Sequence, residues 1–433
     1  MNIIPQILKA KGSGNIHGVE RLIGVADPSF PYLIGTKELL ANLPYHNLIR
    51  ACKTNASRQI VNYLNQTDWT KNADGTASVL DGSDGLDVMI DYPGLWMIFG
   101  GSNPTYEYWI ISDKPFIWRG EAAIWYDRFI DTPDYCTIDR TTGASRSVYT
   151  TANANLAGSG AGATASGLGY PRTAISRYGY EAAASLKGSG WNGALYGDLM
   201  YMLCMLYIEY HTKNLQGIFG VGASTWGGTQ WNAYNGYYPV IKIFEGQLAL
   251  SGSFVGKMTG TFTKTFGVDT NGSALYTTQL PVWRGKVVPY GHLWWWRSGI
   301  EFEVQSVASG GNSYLWTQLN PALIDANRSD SDFSFKNTYK NMGSALRIDG
   351  WIKDVIAQTF IGNSIGAGQT TYACSCNWNS VGIPGSGIGR RGVIFGARLD
   401  SGGSCAVGSA NSTSAPSTAT SNRGGGFRAN VSG

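Results

Sequence analysis

Apolar positions along this chain follow two different periods. Between residues 84 and 130, Val88, Ile90, Trp96, Ile98, Trp109, Ile111, Phe116 and Trp118 fall in short β-type runs. Gly-Gly, Asn-Pro and Asp-Lys-Pro breaks separate them, the pattern of strands joined by turns. The period changes over residues 178–213. Leu195, Leu199, Met202, Leu203, Leu206 and Tyr210 recur at helical spacing, and Met200, Met205 and Ile208 widen the stripe until it nearly closes. A helix apolar almost all round is a buried one. The pattern predicts one helix over Tyr180–Lys187, ended by Gly188, and a second from about Gly193 to Lys213, capped by Asn192. His211 and Lys213 suit its negative end, and Glu209 precedes Lys213 in the better i,i+4 order. Beyond residue 220, Val240–Phe244, Leu248–Phe254 and Met258–Phe266 read as strands, with turns at Asn235-Gly236 and Asn271-Gly272. Trp294-Trp295-Trp296 followed by Ile300, Phe302 and Val304 reads as a central hairpin. Near the N-terminus, Thr36 is placed to cap a short helix through Leu43 that Pro44 stops, and Asn55–Leu64 reads as a further helical turn. Two helices against irregular antiparallel strands make an α+β fold.

Residues 1–80 read as a small N-terminal unit and 81–433 as the main domain, with 151–169 a low-complexity loop. A chain of 433 residues is long enough to bury a large core. Charged residues are 14% and aromatic residues 12% of it, which excludes intrinsic disorder. The formal charge of +4 and the scatter of the 33 basic residues argue against a nucleic-acid partner. The N-terminus has no secretory apolar core, and the longest apolar run, Leu199–Ile208, is too short to span a bilayer, so a soluble chain without membrane insertion is expected. The six cysteines (Cys52, Cys136, Cys204, Cys374, Cys376, Cys405) are too sparse for a disulfide scaffold, and Cys374-x-Cys376 lacks redox or zinc spacing. The four histidines form no H-E-x-x-H motif. No metal and no cofactor are expected.

The composition shifts after Asp400. Ser, Gly, Ala, Thr and Asn supply 26 of the last 33 residues, and Lys, Glu, Gln, Met and Trp are absent there. Such a stretch reads as a disordered tail by composition. Against that, Ile394, Phe395, Leu399, Phe427 and Val431 flank it and can pin it as strands, which makes a polar loop on a scaffold, a design suited to binding. Every residue of the stretch belongs to the set reached by mutating both adenines of an AAC codon. The candidate ligand-binding residues are Arg390, Arg391, Arg398, Asp400, Ser401, Ser404, Ser409, Asn411, Ser412, Ser414, Ser417, Thr420 and Asn422, with Trp378 in a nearby polar loop. Trp226 and Trp231 lie in similar Gly/Asn-rich loops. The diversified region is expected over about 390–425.

The C-terminal stretch GRRGVIFGARLDSGGSCAVGSANSTSAPSTATSNRGGGFRANVSG resembles the variable region of diversity-generating retroelement target proteins. The segment DLMYMLCMLYIEYHTKNLQGIFG, with NAYNGYYP after it, is similar to phage members of that group, and Gly291–Trp296 resembles the G-N-V-W-E-W strand of formylglycine-generating-enzyme-type C-type lectin folds. The resemblance covers about residues 81–433. It implies a C-type lectin fold carrying a hypervariable ligand-binding surface, and a phage tail receptor-binding protein located in the virion. Its partners would be a host cell-surface protein or glycan and, through the N-terminal unit, other phage tail proteins; a homotrimer is expected. Where the family strand has Asn and Glu this chain has His292 and Trp295, so no calcium site is carried over. The oxidase activity known in this fold is not carried over either, because Cys374 and Cys376 are spaced differently.

Gly387–Gly392 matches G-x-G-x-x-G, but β-type residues follow it where a dinucleotide site needs a helix. Gly362–Gly366 matches G-x-S-x-G, yet every histidine precedes Ser364. A tailspike-type enzyme degrading surface polysaccharide would need two nearby carboxylates, with Glu301, Glu303, Asp354 and Asp400 as candidates. That enzyme and a purely structural virion protein are the alternatives to the leading expectation, a non-enzymatic adhesin.

Overall fold

The computed structural model describes residues 15–148, 156–157, 170–222, 241, 243–250, 258–266, 276–288, 290–325, 328–374, 376–379, 381–397, 401–420 and 422–432. The fold is α+β with strands predominating. Sheets of five, seven and nine strands carry it, with smaller ones at their margins. The five-stranded sheet runs in the order Ile124–Tyr126, Leu95–Ile98, Tyr106–Ser112, Ile16–Leu22, Tyr32–Ile34. The seven-stranded sheet runs Trp191–Gly193, Phe427–Asn430, Phe129–Asp131, Asp87–Tyr92, Arg50–Thr54, Ile60–Asn65, Asp68–Asn72. The nine-stranded sheet is built on Trp294–Gln305 and Ile388–Phe395.

A boundary near residue 80 cuts through two of these sheets. Ile16–Leu22 lies along Tyr106–Ser112, from Ile16 opposite Ser112 to Leu22 opposite Tyr106. Arg50–Thr54 pairs with Asp87–Tyr92. From residue 15 onward, the segment read as a separate unit therefore shares its strands with the residues that follow. The physical reason is that Val88, Ile90, Trp109 and Ile111 are all buried and need hydrogen-bonded neighbours on both sides. One apolar cluster reaches from Val19 to Ala429.

Helix Arg177–Ser185 starts where the Ser176 hydroxyl accepts the Gly179 N–H at 3.1 Å. Helix Tyr196–Tyr210 is buried from Tyr196 through Ile208, as its closed apolar pattern requires. Asn192 does not cap it; Asn192 lies in the strand Trp191–Gly193, and the helix ends at His211 in a left-handed conformation with φ 55°. Thr36 caps helix Lys37–Asn42, accepting from the Leu39 N–H. Asn55–Leu64 is not helical. Arg58 takes φ 67° in a turn tied by Asn55, and Ile60–Asn65 returns as a strand against Arg50–Thr54. Leu248 falls in helix Glu245–Leu250, not in a strand, whereas Gly260–Phe266 is one. Trp294–Gln305 is one strand whose register shifts between Arg297 and Phe302; it forms an antiparallel hairpin with the next strand, Ser313–Thr317, while its other long partner, Ile388–Phe395, comes from distant sequence. Asn235-Gly236, Asn271-Gly272, Trp226 and Trp231 lie outside the described residues, as does 151–169 apart from the short strand Leu156–Ala157.

Candidate functional site

The strand Ile388–Phe395 lies between Trp294–Gln305 and the short strand Ala410–Asn411, which in turn pairs in parallel with Asn377–Asn379. The chain from 412 to 422 crosses over this part of the sheet and then enters Arg423–Gly424, which pairs with the start of Trp294–Gln305. The crossing is held by its own carbonyls. Gly382 N–H donates to Ser412 O (3.1 Å), Gly392 N–H to Ser414 O (3.1 Å), Arg177 N–H to Pro416 O (3.0 Å), Ala174 N–H to Thr420 O (3.1 Å) and Trp294 N–H to Asn422 O (3.1 Å). Backbone bonds of this kind do not depend on which side chain the loop residue carries. The side chains at Ser404, Thr413, Ser417 and Ala419 are exposed.

A buried ion cluster lies beneath the loop. Glu301 Oε1 accepts from Arg177 Nη2 and from Arg390 Nη2 at 2.5 and 2.7 Å, and all three side chains are at most 3% exposed. Arg390 Nη1 also donates to the Ser329 and Asp332 carbonyls at 3.3 and 3.2 Å and lies 3.2 Å from Asp325. Burial works against the Arg390 charge, and Glu301 more than offsets it, so its pKa is raised. The cluster thereby fixes the loop 328–334. Asp330 on that loop accepts from the Ser417 N–H at 3.3 Å and from its hydroxyl. Two loops some ninety positions apart in sequence thus meet on one face.

The residues singled out in the sequence divide sharply. Ser404 and Ser417 are exposed; Arg391, Ser401, Asn411, Ser414, Thr420 and Asn422 are partly so. Arg391 donates from Nε to Gly382 O at 2.7 Å, and burial lowers its pKa while Asp330 partly restores it. Ser409 and Ser412 are 1% and 0% exposed, which places both in the scaffold and not on the ligand face. Trp378 is fully buried, its ring 5.4 Å from Phe302 and its N–H on Leu346 O, so it packs the core and cannot stack on a ligand. Arg390 is likewise consumed inside. Arg398 and Asp400 lie outside the described residues. Asp330 and Gly382, which help complete the face, carry no signal in the sequence: Asp330 is one more acidic residue in a polar run, and only the buried arginine brings it here; Thr413 lies in the polar stretch but is not among the named candidates.

The candidate catalytic groups are otherwise engaged. Glu301 is spent in the ion cluster, and Glu303 pairs with Lys336 at 2.9 Å. Ser364 donates to Asp354, with no histidine in that bond. Gly389–Gly392 belong to a strand, so the G-x-G-x-x-G run opens no helix. All six cysteines are buried. His292, where the lectin strand has Asn, is buried with its pKa pushed down to about 3 by desolvation, its ring 5.6 Å from Tyr135. Among the described residues no three His, Cys, Asp or Glu side chains are grouped as a metal site, and no helix is long and apolar enough to cross a membrane. Compared with known proteins, the chain matches no family model, and no curated protein is similar enough to count as a relative.

Proposed function

We propose that this protein is a non-enzymatic phage tail receptor-binding protein with a C-type lectin-type fold, which binds a host cell-surface protein or glycan through a diversified C-terminal face. The observation that carries the reading is the loop 412–422, held at five carbonyls by N–H groups of one helix, two strands and two neighbouring loops while Thr413, Ser417 and Ala419 are exposed. A surface of many sequences needs a frame indifferent to side chains, because packed cores tolerate few volume changes. The two helices Arg177–Ser185 and Tyr196–Tyr210 against antiparallel strands support the lectin-type fold. The engagement of Glu301 and Glu303 in ion pairs supports the non-enzymatic reading. On this reading the protein sits in the virion, and its N-terminal part contacts other tail proteins.

The test is adsorption of the purified chain to a panel of bacterial strains. Replacing Ser404, Thr413 and Ala419 together by Tyr should abolish adsorption to the recognised strain with the melting temperature unchanged. Adsorption that survives this replacement overturns the assignment of the face. Surface polysaccharide from the same strain should yield no new reducing ends; turnover there would favour the tailspike-type enzyme.

A further inference from the structure

Five charged side chains from five elements are buried close together behind the C-terminal strand. They are Asp131 of Phe129–Asp131, Asp198 of helix Tyr196–Tyr210, Lys286 of the short strand Lys286–Val287, Arg297 of Trp294–Gln305 and Arg428 of Phe427–Asn430, all at most 3% exposed. Four of them form two pairs. Lys286 Nζ lies 2.6 Å from Asp131 and also donates to the Thr132 carbonyl. Arg428 donates from Nε and Nη2 to Asp198 at 3.1 and 3.2 Å, and the Tyr126 hydroxyl donates to the same carboxylate at 2.9 Å. Arg297 is the fifth. Its Nε and Nη1 have no hydrogen-bond acceptor among the described residues. Its guanidinium lies 4.8 Å from the centre of the Trp295 ring, whose indole N–H has no acceptor among them either. The two side chains share a face, because positions two apart on a strand point the same way.

Lys286, Arg297 and Arg428 against Asp131 and Asp198 leave one positive charge in surplus. Asp134, the acid next to Lys286, does not supply the balance in mild acid. Its oxygens accept the Tyr135 and Phe244 N–H groups at 2.7 and 3.2 Å, and burial raises its pKa to about 7. A buried lysine or carboxylate can neutralise itself, but a guanidinium keeps its proton, and an unpaired buried charge is costly. Burial works against the charge of both arginines. At Arg428 the paired Asp198 more than offsets it and the pKa is raised; at Arg297 neither Asp131 nor Asp198 does, and the pKa is lowered. Guanidinium and indole N–H groups only donate, so whatever they hold must accept. A water would satisfy the donors and leave the charge; an anion satisfies both. We propose that Arg297, with the Trp295 indole, binds a small monovalent inorganic anion of the chloride class inside the core. Such a site is independent of the ligand face described above.

Thermal unfolding of the full chain at a pH of about 6, where Asp134 keeps its proton, tests it, with sodium chloride exchanged for sodium gluconate at constant ionic strength. Gluconate is too large for a site closed on all sides. The melting temperature should therefore rise with the chloride fraction, as it does for any ligand that only the native state holds. Arg297→Met removes the charge and keeps an unbranched side chain, and it should melt at the same temperature in both salts. Crystals of the wild type grown in bromide should show an anomalous peak against Arg297. Equal wild-type melting temperatures in chloride and gluconate overturn the proposal, and so does a chloride response that survives in Arg297→Met. Should Arg297→Met fail to fold, the bromide crystals decide: density at Arg297 without anomalous signal is a water and overturns the site.

Discussion

Residues 401–422 and 423–430 follow one another in the C-terminal stretch, both with glycine, alanine and asparagine, and have opposite fates. The first stretch crosses a sheet and is tied down by main-chain carbonyls, with several side chains in solvent. The second is the centre of the molecule. Arg423–Gly424 and Phe427–Asn430 are strands, and everything from Arg423 to Ala429 is buried. Its three glycines are required by contact: a Cβ on Gly424 would come 2.3 Å from the Tyr135 ring, on Gly425 2.6 Å from Tyr180, and on Gly426 2.4 Å from the Thr132 hydroxyl. Arg428 is held by Asp198 at 3.1 Å, which also receives the Tyr126 hydroxyl. The difference teaches that glycine-containing segments side by side in sequence can serve as loop or as core, according to whether backbone or side-chain volume is in demand.

The largest expected effects strike what lies under and behind the loop. Glu301→Ala removes the carboxylate shared by two buried guanidinium groups, leaving Arg177 only Glu181 and Arg390 only Asp325 as ion-pair partners among the described residues, and should cost about 3–5 kcal/mol in denaturant unfolding. Phe427→Ala, at a fully buried ring 5.5 Å from Trp191, should cost about the same. A stability change below about 1 kcal/mol for Phe427→Ala would place the second stretch with the loop and erase the contrast.

Next in size are changes that add atoms to the packed parts. Gly425→Ala should cost about 1–3 kcal/mol through forced movement of the Tyr180 ring. Ser412→Tyr should destabilise by at least as much, although the sequence alone ranks Ser412 with Ser417. Paired melting curves of Ser412→Tyr and Thr413→Tyr sharpen the boundary: only the first should shift.

The pH response belongs to the packed region as well. Burial lowers His46 to about 4 and His292 to about 3, so the unfolded chain takes up protons that the folded chain refuses. Stability should therefore fall as pH drops below about 6.5, by up to about 1.4 kcal/mol per pH unit for each histidine, until the folded values are reached. Asp134 acts in the opposite direction. Desolvation raises it to about 7, so it contributes a penalty that grows as pH rises from about 4 to 7. His292→Gln should flatten the acid limb of a melting-temperature profile, and Asp134→Asn should steepen it.

The smallest effect is expected in the loop. Ser404→Tyr, Thr413→Tyr and Ala419→Tyr should each stay within about 0.5 kcal/mol of the parent. A loss several times larger at any of them would show that its side chain, and not its backbone, holds the loop.

The sequence by itself determined the α+β class, because the two hydrophobic periods are local properties: the closed apolar stripe of 195–210 can only be a buried helix, and the broken β-type runs of 84–130 can only be strands. It also marked the caps at Thr36 and the polar character of the C-terminal loop, since capping and composition need no distant partner. Tertiary structure alone decided the rest. Whether Ser412 or Ser417 faces solvent depends on where Gly382 and Asp330 lie, and neither is near in sequence. Arg390 and Arg391 are adjacent and chemically alike, yet one is buried against Glu301 while the other reaches the surface, because a strand sends neighbouring side chains to opposite faces and only the assembled sheet says which face is inside. The segment before residue 80 followed the same rule: its local pattern suggested only a capped helix and a helical turn, and its strands are set by hydrogen bonds to partners beyond residue 80 that no local pattern records.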